Sequence, residues 1–181
     1  MEKEFKQVHD YRFDSMEIDI ISEENGQKIQ TLLKEGLYTR TVNDTLKEMT
    51  QEALSKAVNT SVYVVSMPFK LLDPGADIKY LGQQELSGGR KADVIEVAYD
   101  ASAYNNHSTS DVWRYYFDPQ DAKIIANWVQ TGDHFSLIEN ISYERVGGIL
   151  FNKERKSFRV DSLGNKLYLR AAYLYHKYQV D

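Results

Sequence analysis

Hydrophobic and polar positions mostly alternate along this chain, and alternation is the mark of strands with one buried face. Ile78 to Leu86 and Ala92 to Tyr99 are two such segments, with Ile95, Val97 and Tyr99 sharing a face. Ser87-Gly88-Gly89-Arg90 between them predicts a hairpin turn. After a polar loop over Asp100 to Ser110, Val112 to Asp118 predicts a strand with Trp113, Tyr115 and Phe117 on one face. Asp118-Pro119-Gln120-Asp121 turns the chain back into Lys123 to Thr131, where Ile124, Ala126 and Trp128 alternate. Beyond Gly132-Asp133, the segments Phe135 to Val146, Ile149 to Val160 and Lys166 to Tyr178 complete the series. Gly147-Gly148 and Ser162-Leu163-Gly164-Asn165 link them.

The first quarter is less regular. Lys3 to Ser22 alternates in patches, through Phe13, Met16, Ile18 and Ile20, and predicts a strand. Glu24-Asn25-Gly26 is a turn. Gln27 to Leu37 carries Ile29, Leu32 and Leu33 at helical spacing, which predicts a short helix ended by Gly36. Tyr38 to Asn43 reads as a brief strand.

One stretch breaks the alternation at length. Thr45, with Glu48 three residues on, fits a capping box. Leu46, Met49, Ala53, Ala57 and Ser61 then recur on one helical face, with Leu54, Val58 and Val65 beside them. Pro68 disfavours helical geometry at Met67, so the pattern predicts a helix from Leu46 to Met67, roughly 33 Å long at about 1.5 Å per residue. Val62-Tyr63-Val64-Val65 is its weak point, because β-branched residues lower helix propensity, and a short strand there is the alternative. Asp73-Pro74-Gly75 reads as a turn. The expected fold class is therefore α+β and mostly β. Seven or eight antiparallel strands run in meander order as one curved sheet, and the long helix covers it.

At 181 residues the chain is most economically one domain. A net charge of −5 argues against nucleic-acid binding, which wants a basic face. Thirteen Tyr suit a β-rich protein. The absence of cysteine excludes disulfides, thiolate metal sites and thiol nucleophiles. The apolar run Ser61 to Leu72 is much shorter than the ~20 residues of a membrane span, so no transmembrane helix is expected. Met1-Glu2-Lys3-Glu4 is charged and no apolar signal segment follows it, which by itself suggests a cytoplasmic protein.

Several segments resemble an uncharacterised family of bacterial envelope proteins. These are PFKLLDPGA from Pro68, KYLG from Lys79, the Gly88-Gly89-Arg90 hairpin, DVIEVAYD from Asp93, DVWRYYFDP from Asp111 and RKSFRVDSLGNKLYLRA from Arg155. The resemblance covers most of Leu32 to Val180. It implies a half-barrel like that of the lipoprotein carrier LolA, a place in the cell envelope or periplasm, and a chain trimmed of a secretion signal and upstream sequence. It carries no catalytic residues and implies no cofactor. The partner it implies is a hydrophobic ligand or a lipoprotein.

Two constellations bear on function. Trp113, Tyr115, Phe117, Trp128 and Tyr173 are expected on the helix-covered side, with Tyr63 from the helix; they line either a cavity for an acyl chain or a plain core. His107, Asp111, Asp133 and His134 fall on loops at one end of the sheet, a donor set that suits zinc or acid–base chemistry. No HExxH or GxSxG pattern accompanies them, and ordinary polar loops contain such residues. Asp73 and Asp77 read as turn formers. Lys153-Glu154-Arg155-Lys156 with Arg159 reads as a solvated strand face. Arg114 and Arg170, set among aromatics, are expected to stack on a ring or pair with a carboxylate. A non-catalytic ligand-binding protein is the expected function, with a filled structural or partner-binding module as the main alternative and a loop-based hydrolase as a third. An open sheet edge would also invite pairing with another chain.

Overall fold

The computed structural model describes residues 6–12, 14–86, 89–100 and 111–180, with the backbone alone at 60, 62–66 and 68. It is mostly strand, as the alternation predicts, but holds two antiparallel sheets rather than one. The chain divides into two compact units, Met1–Val64 and Val65–Asp181.

The first unit is a five-stranded meander: β1 (Lys6–Arg12), β2 (Glu17–Glu24), β3 (Gln27–Lys34), β4 (Leu37–Val42) and β5 (Thr45–Leu46). The short helix expected over Gln27 to Leu37 is strand β3. The Ile29, Leu32 and Leu33 spacing misleads, because burial follows period two: Ile29, Thr31 and Leu33 are inside and Leu32 faces the other way. Turn chemistry decides the matter. Asn25 and Gly26, then Glu35 and Gly36, all have positive φ. Each pair closes a two-residue hairpin whose twist matches the flanking strands. These two turns bracket eight residues, a strand's length.

The long helix is α1 (Gln51–Ser66), which starts five residues later than the capping box suggests. Thr45 and Leu46 pair with β4 instead. The cap is Thr50, whose Oγ1 accepts the Ala53 N–H at 3.2 Å. The helix runs through Val62–Val65 in spite of their β-branching and stops before Met67, as Pro68 dictates. Leu54 and Val58, four residues apart, are the buried positions among its described side chains, and Val58 sits in one cluster with Ile18, Ile20 and Leu33. Gln51 fixes the start of the helix to β4: its side-chain oxygen accepts from Tyr38 N–H at 2.9 Å and its amide donates to Tyr38 C=O at 2.8 Å.

The second unit opens with a 3-10 helix, Met67–Leu72, followed by β6 (Ala76–Glu85), β7 (Lys91–Tyr99), β8 (Val112–Phe117), β9 (Ile124–Thr131), β10 (His134–Val146), β11 (Ile149–Val160) and β12 (Lys166–Leu174). These seven strands form one meander sheet with β6 and β12 at its edges. One apolar cluster is made by Ala92, Val94, Tyr116, Ile125, Ala126, Trp128, Leu137 and Val160, most of them on one face of the sheet; Val97, Tyr115 and Val129 are buried on the other. The register explains this grouping. Val94 lies opposite Tyr116, Tyr116 opposite Ala126, and Trp128 opposite Leu137, and partners across an antiparallel pair project to the same side.

Candidate functional site

The other face of the seven-stranded sheet is built from the alternate residues of the same strands. Trp113 and Tyr115 on β8 point there, and their ring centroids are 6.5 Å apart. Phe117 lies opposite Asp93 of β7, and Trp113 and Tyr115 lie opposite Val97 and Ile95, so all three share that side. Tyr173 joins them through the chain of pairs Asn127–Ile138, Ile138–Ser157, Asn140–Arg155 and Arg155–Tyr173. Four of the five aromatic residues expected together therefore do share one face. Trp128 does not. It lies opposite Arg114 and belongs to the apolar core. A register shift between Tyr116 and Phe117 is the cause: beyond the bulge, odd-numbered residues of β8 pair with odd-numbered residues of β9. The side chain of Tyr63 lies outside the described residues.

The 3-10 helix packs on this aromatic face. Tyr99 donates its hydroxyl hydrogen to Lys70 C=O at 3.3 Å, and the Tyr99 and Tyr115 hydroxyl oxygens are 3.3 Å apart. Met67 is buried, and Arg155 Nη2 lies 3.8 Å from its sulfur. Arg155 itself is 2% exposed, so the run expected to be a solvated basic face turns a guanidinium inward. Glu154 and Lys156, on the opposite side of the same strand, are the solvated part and pair at 3.7 Å. The Arg155 guanidinium also meets the Tyr175 hydroxyl. Burial pushes that phenol up, and Arg155 partly offsets the rise.

Polar residues buried on this face were not legible from the pattern. Asn127 is fully buried opposite Tyr115 and Ile138; Ser157 and Asn140 follow on the next strands. Asn140 donates its amide to Ile124 C=O at 2.7 Å, while its Oδ1 has no partner. Neither polar atom of the Asn127 amide has one. On this face amide, hydroxyl and guanidinium groups are thus buried together with apolar Val97, Val129 and Met67.

The remaining candidates resolve separately. His107 lies outside the described residues. Asp133 sits in the β9–β10 turn and His134 opens β10, 3.2 Å apart and well exposed. Among the described residues no group of three or more His, Cys, Asp or Glu is placed to hold a metal ion. Asp73 accepts from Lys70 Nζ at 3.0 Å and its carbonyl accepts Ala76 N–H, the role of a turn residue. Arg114 does what its setting suggests: its Nε donates to Glu96 at 2.8 Å and its guanidinium lies 4.6 Å from the Trp128 ring centroid. Arg170 donates to Ser136 Oγ at 3.0 Å.

No family model matches the sequence. No curated protein matches it either. Among solved structures, the chain is similar to a DUF1329 family protein from Desulfovibrio piger ATCC 29098. The two share 10% identity over 86% of this chain and 69% of that one, with a TM-score of 0.48. That neighbour belongs to a family of unknown function. No helix among the described residues is long and apolar enough to cross a membrane.

Proposed function

We propose that this protein is a non-catalytic binding protein of the cell envelope. It takes a hydrophobic ligand such as a lipid or lipoprotein acyl chain against the aromatic face of the seven-stranded sheet, in a half-barrel of the LolA kind. One observation carries the reading. Trp113 and Phe117 are only partly buried and Tyr173 is exposed, on the face of the sheet away from the Trp128 cluster. Aromatic side chains left partly open on a sheet face are what an apolar ligand site presents. The envelope setting rests on the resemblance of the segments from Pro68 to Ala171.

A second reading has its own support. Tyr115 has no exposed surface and Met67 only 2%, as expected of a filled module that serves structure or a protein partner. Native mass spectrometry of the purified protein, repeated under denaturing conditions, separates the two. An added mass that is lost on denaturation, with uptake of a fluorescent fatty acid, supports the ligand. The chain has two tryptophans, one on each face, which adds a local readout. Quenching on uptake should survive Trp128→Phe and be lost in Trp113→Phe. A bare mass with no uptake of the fatty acid sinks the ligand and leaves the filled module.

A further inference from the structure

We infer that the five-stranded unit holds a site for a short zwitterion, a small molecule with a carboxylate and an ammonium group, in a cleft between its sheet and α1. The inference stands apart from the ligand proposed for the seven-stranded sheet. The cleft has a volume of about 70 Å³, and its polar lining is Gln7 of β1, Ser22 and Glu24 of β2, Thr31 of β3, Arg40 of β4 and Ser61 of α1. It exists because one sheet face changes character part-way along. At one end the inward positions are Ile18, Ile20 and Leu33, packed with Val58. Toward the other end Thr31 lies opposite Ile20, Arg40 opposite Thr31, and Ser22 opposite Gln7. Partners across an antiparallel pair project to the same side, so these polar groups face α1 as well. On the helix Ala57 and Ser61, four residues apart, line the cleft with small side chains that leave the space open. Gln7 is exposed, so the cleft can be reached from solvent.

The lining groups select the chemistry. Thr31 and Ser22 are only 7% and 6% exposed, yet both border open space. Among the described residues neither the Thr31 hydroxyl nor the Arg40 guanidinium has a hydrogen-bond or ion-pair partner. Buried hydroxyls are ordinarily satisfied, and a guanidinium carries five donors and a full charge. These two groups call for an anionic acceptor, and a carboxylate matches the guanidinium fork. Gln7 Oε1 accepts from His9 Nε2 at 3.1 Å, so its amide N–H groups add to the donors. The remaining groups call for a cationic donor. Glu24 accepts from the Ser22 hydroxyl at 3.4 Å, and the Ser61 hydroxyl donates to Ala57 C=O at 3.4 Å. Both serines have thus used their hydrogens and present acceptor oxygens beside the Glu24 carboxylate. A lone anion would set its charge against Glu24, and a lone cation against Arg40; a zwitterion answers both. The volume is far below the roughly 300 Å³ at which pockets for larger ligands begin, so the two charged ends are joined by a short spacer.

The test titrates glycine, β-alanine and γ-aminobutyrate calorimetrically into the whole protein at neutral pH, each beside the acid and the amine of the same chain length. One of the three should bind at least about 10-fold more tightly than its acid-only and amine-only counterparts, the worth of one charge-assisted hydrogen bond. Arg40→Gln should abolish its advantage over the amine, and Glu24→Gln its advantage over the acid. Thr31→Val should weaken its binding about 10-fold and leave the melting temperature of the ligand-free protein unchanged or higher, because a partnerless buried hydroxyl is being replaced by a methyl group. An acid that binds as tightly as the zwitterion overturns the inference, as does an advantage that survives in both Arg40→Gln and Glu24→Gln. Thr31→Val with a lower melting temperature and full affinity also overturns it, since the hydroxyl then serves the fold. No binding by any of the three overturns it as well, and the cleft is then filled by water alone. None of these outcomes bears on fatty-acid uptake by the seven-stranded sheet.

Discussion

Single residues show where this fold spends its burial. Leu54 is 2% exposed on the inner side of α1, whereas Leu46, which the sequence puts on the same stripe, is 65% exposed in β5. Leu54→Ala should therefore cost about 2–5 kcal/mol, the usual cost of a truncated core leucine, and Leu46→Ala no more than about 0.5 kcal/mol. Urea denaturation of the two variants checks the difference, and similar losses would put Leu46 back on the helix. Tyr143 makes a second residue-scale case. Its hydroxyl donates to Ile124 C=O at 2.7 Å, and burial pushes its pKa up from 10.0 to about 12. The folded state thus holds this proton more tightly than the unfolded chain does. The stability it contributes is complete below pH 10 and is lost as the pH rises from 10 toward 12. Tyr178, Tyr175 and Tyr116 are also raised by burial, so several phenols share the alkaline loss. Tyr143→Phe should make the fall in stability between pH 10 and 12 shallower, as read from urea midpoints across that range. An unchanged slope would show that Tyr143 ionises as freely in the folded protein as in the unfolded chain.

At the scale of elements, local chemistry was readable wherever a turn or a cap speaks through residue type, and unreadable where register decides. The strands from Ile78 onward follow from alternation and turn residues, and all seven are present. The helix start was misplaced because Thr45 and Thr50 both fit an N-cap, and only the pairing of Thr45 with Val42 removes the first from contention. Thr50→Ala should destabilise the protein by about 1 kcal/mol, while Thr45→Ala should be close to neutral. The reverse order in thermal melts would restore the earlier start. The candidate site was legible in part for the same reason. Trp113, Tyr115 and Phe117 alternate within one strand, so their shared face is a local fact. Trp128 sits beyond a bulge, and a one-residue slip moves a side chain to the other face without any mark in the sequence. Asn127 and Arg155 are polar residues in strands, and a polar residue is solvated by default unless a neighbouring element covers it.

For the whole molecule, the unresolved tension lies at the margin of the second sheet. Its order is β12-β11-β10-β9-β8-β7-β6, and among the described residues β12 and β6 do not pair with each other. The β12 edge is apolar on both sides: Leu167, Tyr168, Leu169 and Leu174 are all more than half exposed. Edge strands of this composition template pairing with other chains, and natural proteins blunt them with charge or bulges. Here the blunting is partial. Register shifts at Ser157/Phe158 and Arg159/Val160 distort the β11–β12 pairing, and Lys166 and Arg170 supply charge. A further charge in the middle of the strand should complete the protection. Leu169→Lys should slow the growth of turbidity on heating several-fold while shifting the melting midpoint little, because Leu169 is 51% exposed. Leu163→Lys is the matched control: Leu163 is 86% exposed but lies in the turn before β12, where no ladder is offered. If both substitutions slow aggregation equally, added charge alone is responsible; if only Leu169→Lys does so, the open edge of β12 is the surface through which this protein associates when it fails.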